Sequence, residues 1–356
     1  MLKKKLSNSD LNVSAICLGT MTFGEQTDEK EAFKILNYSF DNEINFFDTA
    51  EMYPVYPKKV TQGRSEEYLG EWMSKKKIRS KVVISTKVSS SNKNGTGASN
   101  LSWLRGGKNN LNFQKKNLNE AVNLSLKRLK TDYIDLYHLH FPERIAPMYG
   151  KLDFEFNFKE EYWTPILEVL ENISCLIKEG KIRYFGISNE SPWGMMKFIT
   201  LAETNNLEKP IVTQNAYNLI NRVFDIASSE ISIRENLKLL AYSPLAGGRL
   251  TGKYLNGKRP KKSRYTMWPG RFSRHLTDRG DNAVAQYFKL STELGYELKD
   301  LANLFVLSRP FVSSSIIGVT SLNQLKSNLK FIDLKLDIST IIKMNKIHNL
   351  DPNPCV

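Results

Sequence analysis

Four side chains in this sequence can hold, move or steer a proton, and each falls where an apolar, strand-like run gives way to polar residues. In INFFDTAEMYP, from Ile44 to Pro54, Asp48 closes the run and Tyr53 follows five residues later; VVISTK ends at Lys87 and YIDLYHLH at His140. A phenol with a reference pKa of about 10 is a poor proton donor at neutral pH, but an adjacent ammonium favours the phenolate, each unit of lowering being worth ~1.4 kcal/mol. Lys87 would be that ammonium and Asp48 the carboxylate holding it, while the His140 imidazole would orient a substrate oxygen toward the Tyr53 hydroxyl. The set suits protonation of a carbonyl oxygen as a hydride reaches the carbon. Taken singly, a strand-end Lys–Asp pair, a lone His or one of 15 tyrosines has a plainer structural explanation. Convergence carries the reading.

The hydride must come from a cofactor. IRYFGISN ends in Ser188 and Asn189, IVTQNAYN carries Gln214, and LKLLAYSPL carries Tyr242 and Ser243. Amides and hydroxyls suit a nicotinamide carboxamide, and Tyr242 offers a ring to stack on it. No GxGxxG opens a helix after the first strand, which argues against a Rossmann domain. From Ala246 to Thr277 there is no acidic residue, whereas Arg249, Lys253, Lys258, Arg259, Lys261, Lys262, Arg264, Arg271 and Arg274 supply nine basic ones. Such a belt would close over a pyrophosphate and an adenosine 2′-phosphate, and the GVTS run from Gly318 leads into a helix whose free N–H groups favour an anion. NADPH is expected ahead of NADH. The plainer alternative for the belt is a solvated or RNA-binding segment, although no RRM or KH pattern accompanies it.

Eight apolar runs must position these groups, at residues 13–19, 44–50, 81–88, 132–140, 182–189, 211–218, 237–245 and 313–319. Between them lie segments of helical spacing at 28–41, 64–77, 114–130, 165–179, 192–205, 224–234, two within 281–308, and 322–329. Strict alternation with apolar strands predicts a parallel sheet covered by helices, and eight units predict an α/β protein of the closed (β/α)₈ barrel type, one domain over residues 1–356. Residues 3–14 read as a hairpin capping one end, and 339–349 as a closing helix. Helix-to-strand links are short. The strand-to-helix links 51–63, 89–113, 141–164 and 246–280 are long against a usual ~2–6 residues, so one face, at the strand C-termini, carries the elaboration. Neighbouring strands ~4.8 Å apart would set Asp48, Lys87 and His140 at equivalent heights.

A formal charge of +14, from 51 basic and 37 acidic residues, fits an anionic ligand or a solvated lysine-rich surface. Cys17, Cys175 and Cys355 are an odd number with no CxxC spacing, which predicts free thiols and neither a disulfide framework nor a zinc site. The apolar run at 13–18 is too brief for a signal peptide or a span of ~20 residues, so a cytoplasmic protein with no membrane or nucleic-acid partner is expected. Segment 89–112, rich in Ser, Asn and Gly, is the part expected to be most mobile.

These residues resemble the aldo-keto reductase superfamily, above all its bacterial Tas-type branch and more remotely the potassium-channel β subunits. The likeness runs from about Leu6 to Asn349 through CLGTMTFGEQ at Cys17, FFDTAEMYP at Phe46, SLKRLKTDYIDLYHLHFP at Ser125, GKIRYFGISNE at Gly180, TQNAYNLINR at Thr213 and AYSPLAGGRLTGKYLNG at Ala241. It implies a catalytic tetrad of Asp48, Tyr53, Lys87 and His140, with Tyr53 the proton donor, in an NADP(H)-dependent oxidoreductase acting on aldehydes or ketones. It further implies an NADP(H) site lined by Thr20, Met21, Gln26, Asp48, Ser188, Asn189 and Gln214. The loop residues Tyr242, Ser243, Pro244, Leu245, Ala246, Gly248, Lys253 and Arg264, and Gly318, Thr320, Gln324 and Asn328 near the last strand, complete it. Met21 replaces an aromatic of the channel-associated branch. The last strand also lacks the Lys-Ser pair and downstream Arg that grip the 2′-phosphate in the mammalian aldose reductase branch, which leaves that role to Lys253 and Arg264.

Two rival functions fit parts of the sequence. His138 and His140 alternate onto one side of a strand, as at the start of a barrel metal site, but His275 and His348 lie elsewhere; His138 reads as structural. A non-catalytic NADP(H)-binding redox sensor or partner subunit is the other. The aromatics Tyr149, Phe154, Phe156, Phe158, Tyr162 and Trp163, with Trp268 and Phe272, would line a pocket for an apolar or aromatic carbonyl compound or pack within long loops. Oligomeric state is left open.

Overall fold

The computed structural model describes residues 1–90, 101, 103–107, 111–149, 151–154, 163–268, 270 and 273–356. The expected positions Phe156, Phe158, Tyr162, Arg271 and Phe272, and part of segment 89–112, lie outside the described residues. Strands β1 (Lys3–Lys5) and β2 (Asn12–Ser14) form an antiparallel hairpin. Eight strands follow: β3 (Ile16–Gly19), β4 (Phe46–Asp48), β5 (Val83–Val88), β6 (Ile134–Leu139), β7 (Ile182–Ser188), β8 (Val212–Ala216), β9 (Lys238–Tyr242) and β10 (Val312–Gly318). They are parallel and close in chain order, β10 pairing with both β9 and β3. The helices are α1 (Glu29–Asp41), α2 (Arg64–Lys76), α3 (Lys115–Leu129), α4 (Ile166–Lys178), α5 (Pro192–Thr204), α6 (Ser228–Arg234), α7 (Arg264–Met267), α8 (Asp278–Glu293), α9 (Leu298–Ser308), α10 (Leu322–Asn328) and α11 (Ile338–Leu350). The expected (β/α)₈ barrel is present, with α7 and α8 inserted after β9.

Strand alternation sorts side chains between two cores. On β5, Ile84 and Val88 face outward and pack with Leu69 and Trp72 of α2 and Val122 of α3, while Val83 faces inward. Inside the barrel Cys17, Phe46, Val83, Leu136, Val212, Leu240 and Ile316 meet Leu6, Leu11 and Val13 of the hairpin, which therefore plugs the N-terminal end. This splits the run expected as one strand over 13–19: Val13 pairs with Lys4 in the hairpin, and the barrel strand starts at Ile16. The helix expected over 224–234 is likewise divided, because Ala227 at φ 60° separates a single 3₁₀ turn, Val223–Asp225, from α6. Side-chain caps set several starts: Asp28 on α1, Ser191 ahead of Pro192 on α5, Thr277 on α8 and Asp337 on α11.

A third cluster roofs the other end of the barrel. Ala50, Met52, Tyr53, Leu101, Leu104, Leu111, Phe141 and Met148 are buried together, with Met21, Val55, Trp103 and Tyr149 against them. The leucines come from the segment expected to be most mobile, and those described are packed over the site. Among the described residues no helix is long and apolar enough to cross a membrane.

Candidate active site

Asp48 ends β4 opposite Ser85, and Lys87 pairs with His138, not His140. The expected equivalent heights are therefore corrected: each successive group stands two positions beyond its neighbour's partner. Tilted strands shear as they close a barrel, so groups that meet in the mouth come from progressively later positions.

The Lys87 ammonium, fully buried, sits 2.5 Å from Asp48 Oδ2 and donates to the Thr49 carbonyl at 2.7 Å. Asp48 Oδ1 accepts from Ser85 Oγ at 2.8 Å and from Gln214 Nε2, across the barrel on β8, at 2.9 Å. Burial works against the ammonium, but Asp48 and Tyr53 outweigh it and hold the Lys87 pKa above the ordinary lysine value. Its Nζ lies 5.0 Å from the centroid of the Tyr53 ring. Burial raises the Tyr53 pKa and the Lys87 charge draws it down; burial wins, with Asp48 and Tyr242 adding to it. This reverses the net direction expected from the sequence, and its consequence is a phenol that carries its proton at neutral pH.

His140 presents its ring edge-on to Tyr53, centroids 5.8 Å apart, and stacks on Phe141 at 4.2 Å. Burial, then the Lys87 charge, then His138 push its pKa well below 6.5, so the imidazole is neutral. Its Nδ1 has no hydrogen-bond partner among the described residues, and Asn189 Nδ2 donates to its backbone carbonyl at 2.9 Å. His138 is wholly buried against Gly186, where a Cβ would come within 2.6 Å of His138 Nδ1. It fills the barrel interior. Among the described residues no group of three or more His, Cys, Asp or Glu could hold a metal.

The residues marked for the cofactor separate into three groups. Ser188, Asn189, Gln214 and Tyr242 come together: Ser188 Oγ donates to the Gln214 carbonyl at 2.8 Å, and the Tyr242 hydroxyl to Asn189 Oδ1 at 2.6 Å. Asn189 at φ 57°, Ser243 at φ 55° and Ala246 at φ 47° turn the chain sharply off β7 and β9, around buried Pro244 and half-buried Leu245. The second group is the basic loop. Gly248, at φ 97°, has no Cβ where one would meet Lys253 Nζ at 2.9 Å, and half-buried Arg264 on α7 lies near Tyr265 and Tyr254. Gln26 spans to this loop, its Nε2 3.5 Å from Met267 Sδ. Arg249 is not available to a phosphate as expected, because it is buried in an ion pair with Asp281 of α8.

The third group turns its polar atoms toward protein. Thr20 Oγ1 lies on the Asp48 carbonyl and on Ser65 Oγ, and the Met21 carbonyl accepts from Val55 N. After β10 and the exposed Gly318, Gln324 Oε1 accepts from Thr320 N and Oγ1, while Asn328 is buried. The start of α10 is partly satisfied from within: Ser321 Oγ caps Gln324 N, and Glu31 of α1 accepts from Leu322 N. Fewer N–H groups are open there than expected.

Sequence reasoning missed a buried ion pair beside Tyr53. Glu51 accepts from Ser89 N at 2.6 Å and from Arg105 Nη1 at 2.5 Å, and its own N–H donates to the Lys87 carbonyl at 3.2 Å. Glu51 is visible next to the tyrosine; its partner, 54 residues on, is not.

The elaborated mouth, with a proton-bearing phenol against a buried ammonium, places the molecule among the (β/α)₈-barrel enzymes. The pattern of the Aldo/keto reductase family matches residues 15–349, and the chain belongs to that family of oxidoreductases, whose members generally use NAD(P)H. It is 38% identical over 356 residues to Protein tas of Escherichia coli, covering 98% of each chain. It is 32% identical to the uncharacterized oxidoreductase YrpG of Bacillus subtilis, covering 96% of this chain and 94% of that one. A probable voltage-gated potassium channel subunit beta of Oryza sativa subsp. japonica is 33% identical, with 94% and 92% covered.

Proposed function

We propose that the protein is an NADPH-dependent reductase of small aldehydes or ketones, acting in the cytoplasm as a single domain with Tyr53 as general acid. The observation that carries this is the Tyr53 phenol, held protonated by burial with Lys87 Nζ 5.0 Å from its ring centroid. The residues present fit a dinucleotide: amide and hydroxyl groups cluster beside Tyr242, and Lys253 has no carboxylate partner among the described residues. Ser188, Asn189 and Gln214 would hold the carboxamide, Tyr242 would stack on the ring, and Lys253 and Arg264 would take the phosphates. When bound, the reduced nicotinamide supplies the hydride.

The chain's own residues do the rest. His140, neutral, donates an N–H to the carbonyl oxygen and aims it at Tyr53. Tyr53 passes its proton to that oxygen as the carbon is reduced, and the Lys87 ammonium stabilises the phenolate that remains. Asp48, fixed by Ser85 and Gln214, keeps the ammonium charged and in place. In steady-state NADPH oxidation with a panel of aldehydes and ketones, Tyr53→Phe should lose at least roughly 100-fold in kcat while NADPH affinity is kept, the scale of one general acid. Unchanged turnover would remove Tyr53 from this role. The similarity to a channel β subunit favours a second reading, an NADP(H)-binding partner or redox sensor. That reading gains if NADPH binds tightly and no carbonyl in the panel gives Tyr53-dependent turnover.

A further inference from the structure

A guanidinium stands above the aromatic roof of the site, and no carboxylate among the described residues neutralises it. Arg274, between α7 and α8, lies over the ring of Tyr149 from the β6–α4 loop, Cζ 4.9 Å from the centroid. Tyr149 lies near Tyr242 and turns its ring edge to Phe141 at 6.1 Å, and Phe141 stacks on His140. Arg274 is thus reached from the catalytic imidazole through two aromatic rings. Its Nε–H donates to His275 Nε2 at 3.3 Å, and no carboxylate among the described residues pairs with the guanidinium. His275 is buried and held neutral by that burial and by Arg274, Arg264 and Arg249, so it adds no counter-charge.

Among the described residues, four acids close to the mouth are committed elsewhere: Asp48 to Lys87, Glu51 to Arg105, Glu190 to Arg144 and Asp281 to Arg249. A half-buried cation fixed at its Nε, with its two terminal nitrogens uncommitted among the described residues, is poised for a planar anion, which a guanidinium fork can grip with two parallel hydrogen bonds. The rings between it and His140 would cover an apolar body. We propose that the substrate is a carbonyl compound bearing a carboxylate, its oxygen at Tyr53 and His140, its apolar or aromatic body along Phe141 and Tyr149, and its carboxylate on Arg274. This rests on the reductase reading above and names the substrate class for the same site. An anion on Arg274 could instead be a cofactor phosphate, and the experiment separates the two.

The full-length protein is assayed with NADPH on 4-carboxybenzaldehyde and on the neutral, similarly shaped 4-methylbenzaldehyde, as wild type, Arg274→Met, Arg274→Lys and Tyr53→Phe, with NADPH affinity read by fluorescence. The wild type should favour the carboxylate in kcat/KM by roughly tenfold or more, the worth of one charge-assisted hydrogen bond. Arg274→Met should erase that preference through KM, leave the neutral aldehyde and NADPH affinity unchanged, and Arg274→Lys should recover part of it. Benzoate should inhibit the wild type competitively and more strongly than benzamide, a comparison that needs no variant to fold. Tyr53-dependent turnover with no preference for the charged aldehyde or for benzoate overturns the inference and leaves the reductase reading standing. Loss of NADPH affinity in Arg274→Met, equal for both aldehydes, also overturns it and assigns Arg274 to the cofactor. No Tyr53-dependent turnover of either aldehyde or of any compound in the wider panel overturns both readings.

Discussion

Breaking the Glu51–Arg105 pair should damage both stability and catalysis. The two side chains are 1% and 3% exposed, so solvent screens the interaction little, and among the described residues the Ser89 N–H is the one further donor to the Glu51 carboxylate. Removing one partner of a buried pair leaves an uncompensated charge and typically costs ~3–5 kcal/mol, while replacing both with well-packed neutral groups is often close to neutral. Arg105→Met alone should therefore lose about 3 kcal/mol or more in urea unfolding followed by tryptophan fluorescence, Glu51→Gln a comparable amount, and the double variant markedly less than the sum. Glu51 also ties the loop that carries Tyr53 to the end of β5, through its N–H on the Lys87 carbonyl and its carboxylate on Ser89 N. The single variants should thus lower kcat with NADPH affinity kept. Costs below about 1 kcal/mol, or single costs that simply add, would refute the claim that these charges are coupled in a dry site.

Further expectations concern pH and the basic loop. His138, His140 and His275 have folded pKa values pushed well below 6.5 by burial, with nearby cations adding to it, so as pH falls the unfolded chain binds protons that the folded one refuses. Stability should be full above about pH 6.5 and decline below it, and urea midpoints at pH 7.5 and 5.5 measure this; a midpoint that rises on acidification contradicts the assignment of neutral imidazoles. Lys253→Ala should weaken NADPH binding roughly tenfold with little change for NADH, on the scale of one charge-assisted contact. Arg249→Ala should instead show its main effect in thermal unfolding, because Asp281 already neutralises that guanidinium. Fluorescence titration with both cofactors distinguishes these outcomes.

Much of the architecture could be read from periodicity. Near-continuous apolar runs such as Lys81–Val88 and Ile182–Asn189 alternate with helical spacing, and parallel strands covered on both sides are what such runs require. The long links after β4, β5, β6 and β9 marked the face that carries the candidate site, because functional elaboration is tolerated where loops cross the surface. Asp48, Tyr53, Lys87 and His140 could be picked out together because each lies at or just beyond the C-terminal end of a strand. Boundaries were less so: Val13 and Cys17 belong to one apolar run, and only pairing with Lys4 assigns the first to the hairpin.

What the sequence determined by itself is local: which residues alternate inward, which strands end in a titratable group, where positive charge accumulates without acid. Tertiary structure alone decided the two-residue stagger between Asp48, Lys87 and His140, the net rise of the Tyr53 pKa, and the pairings Glu51–Arg105, Arg249–Asp281 and Arg274–Tyr149. The physical reason is common to all of these. Barrel shear, desolvation and partners tens of residues apart depend on which surfaces are excluded from water once the barrel has closed, and no window of sequence contains that information.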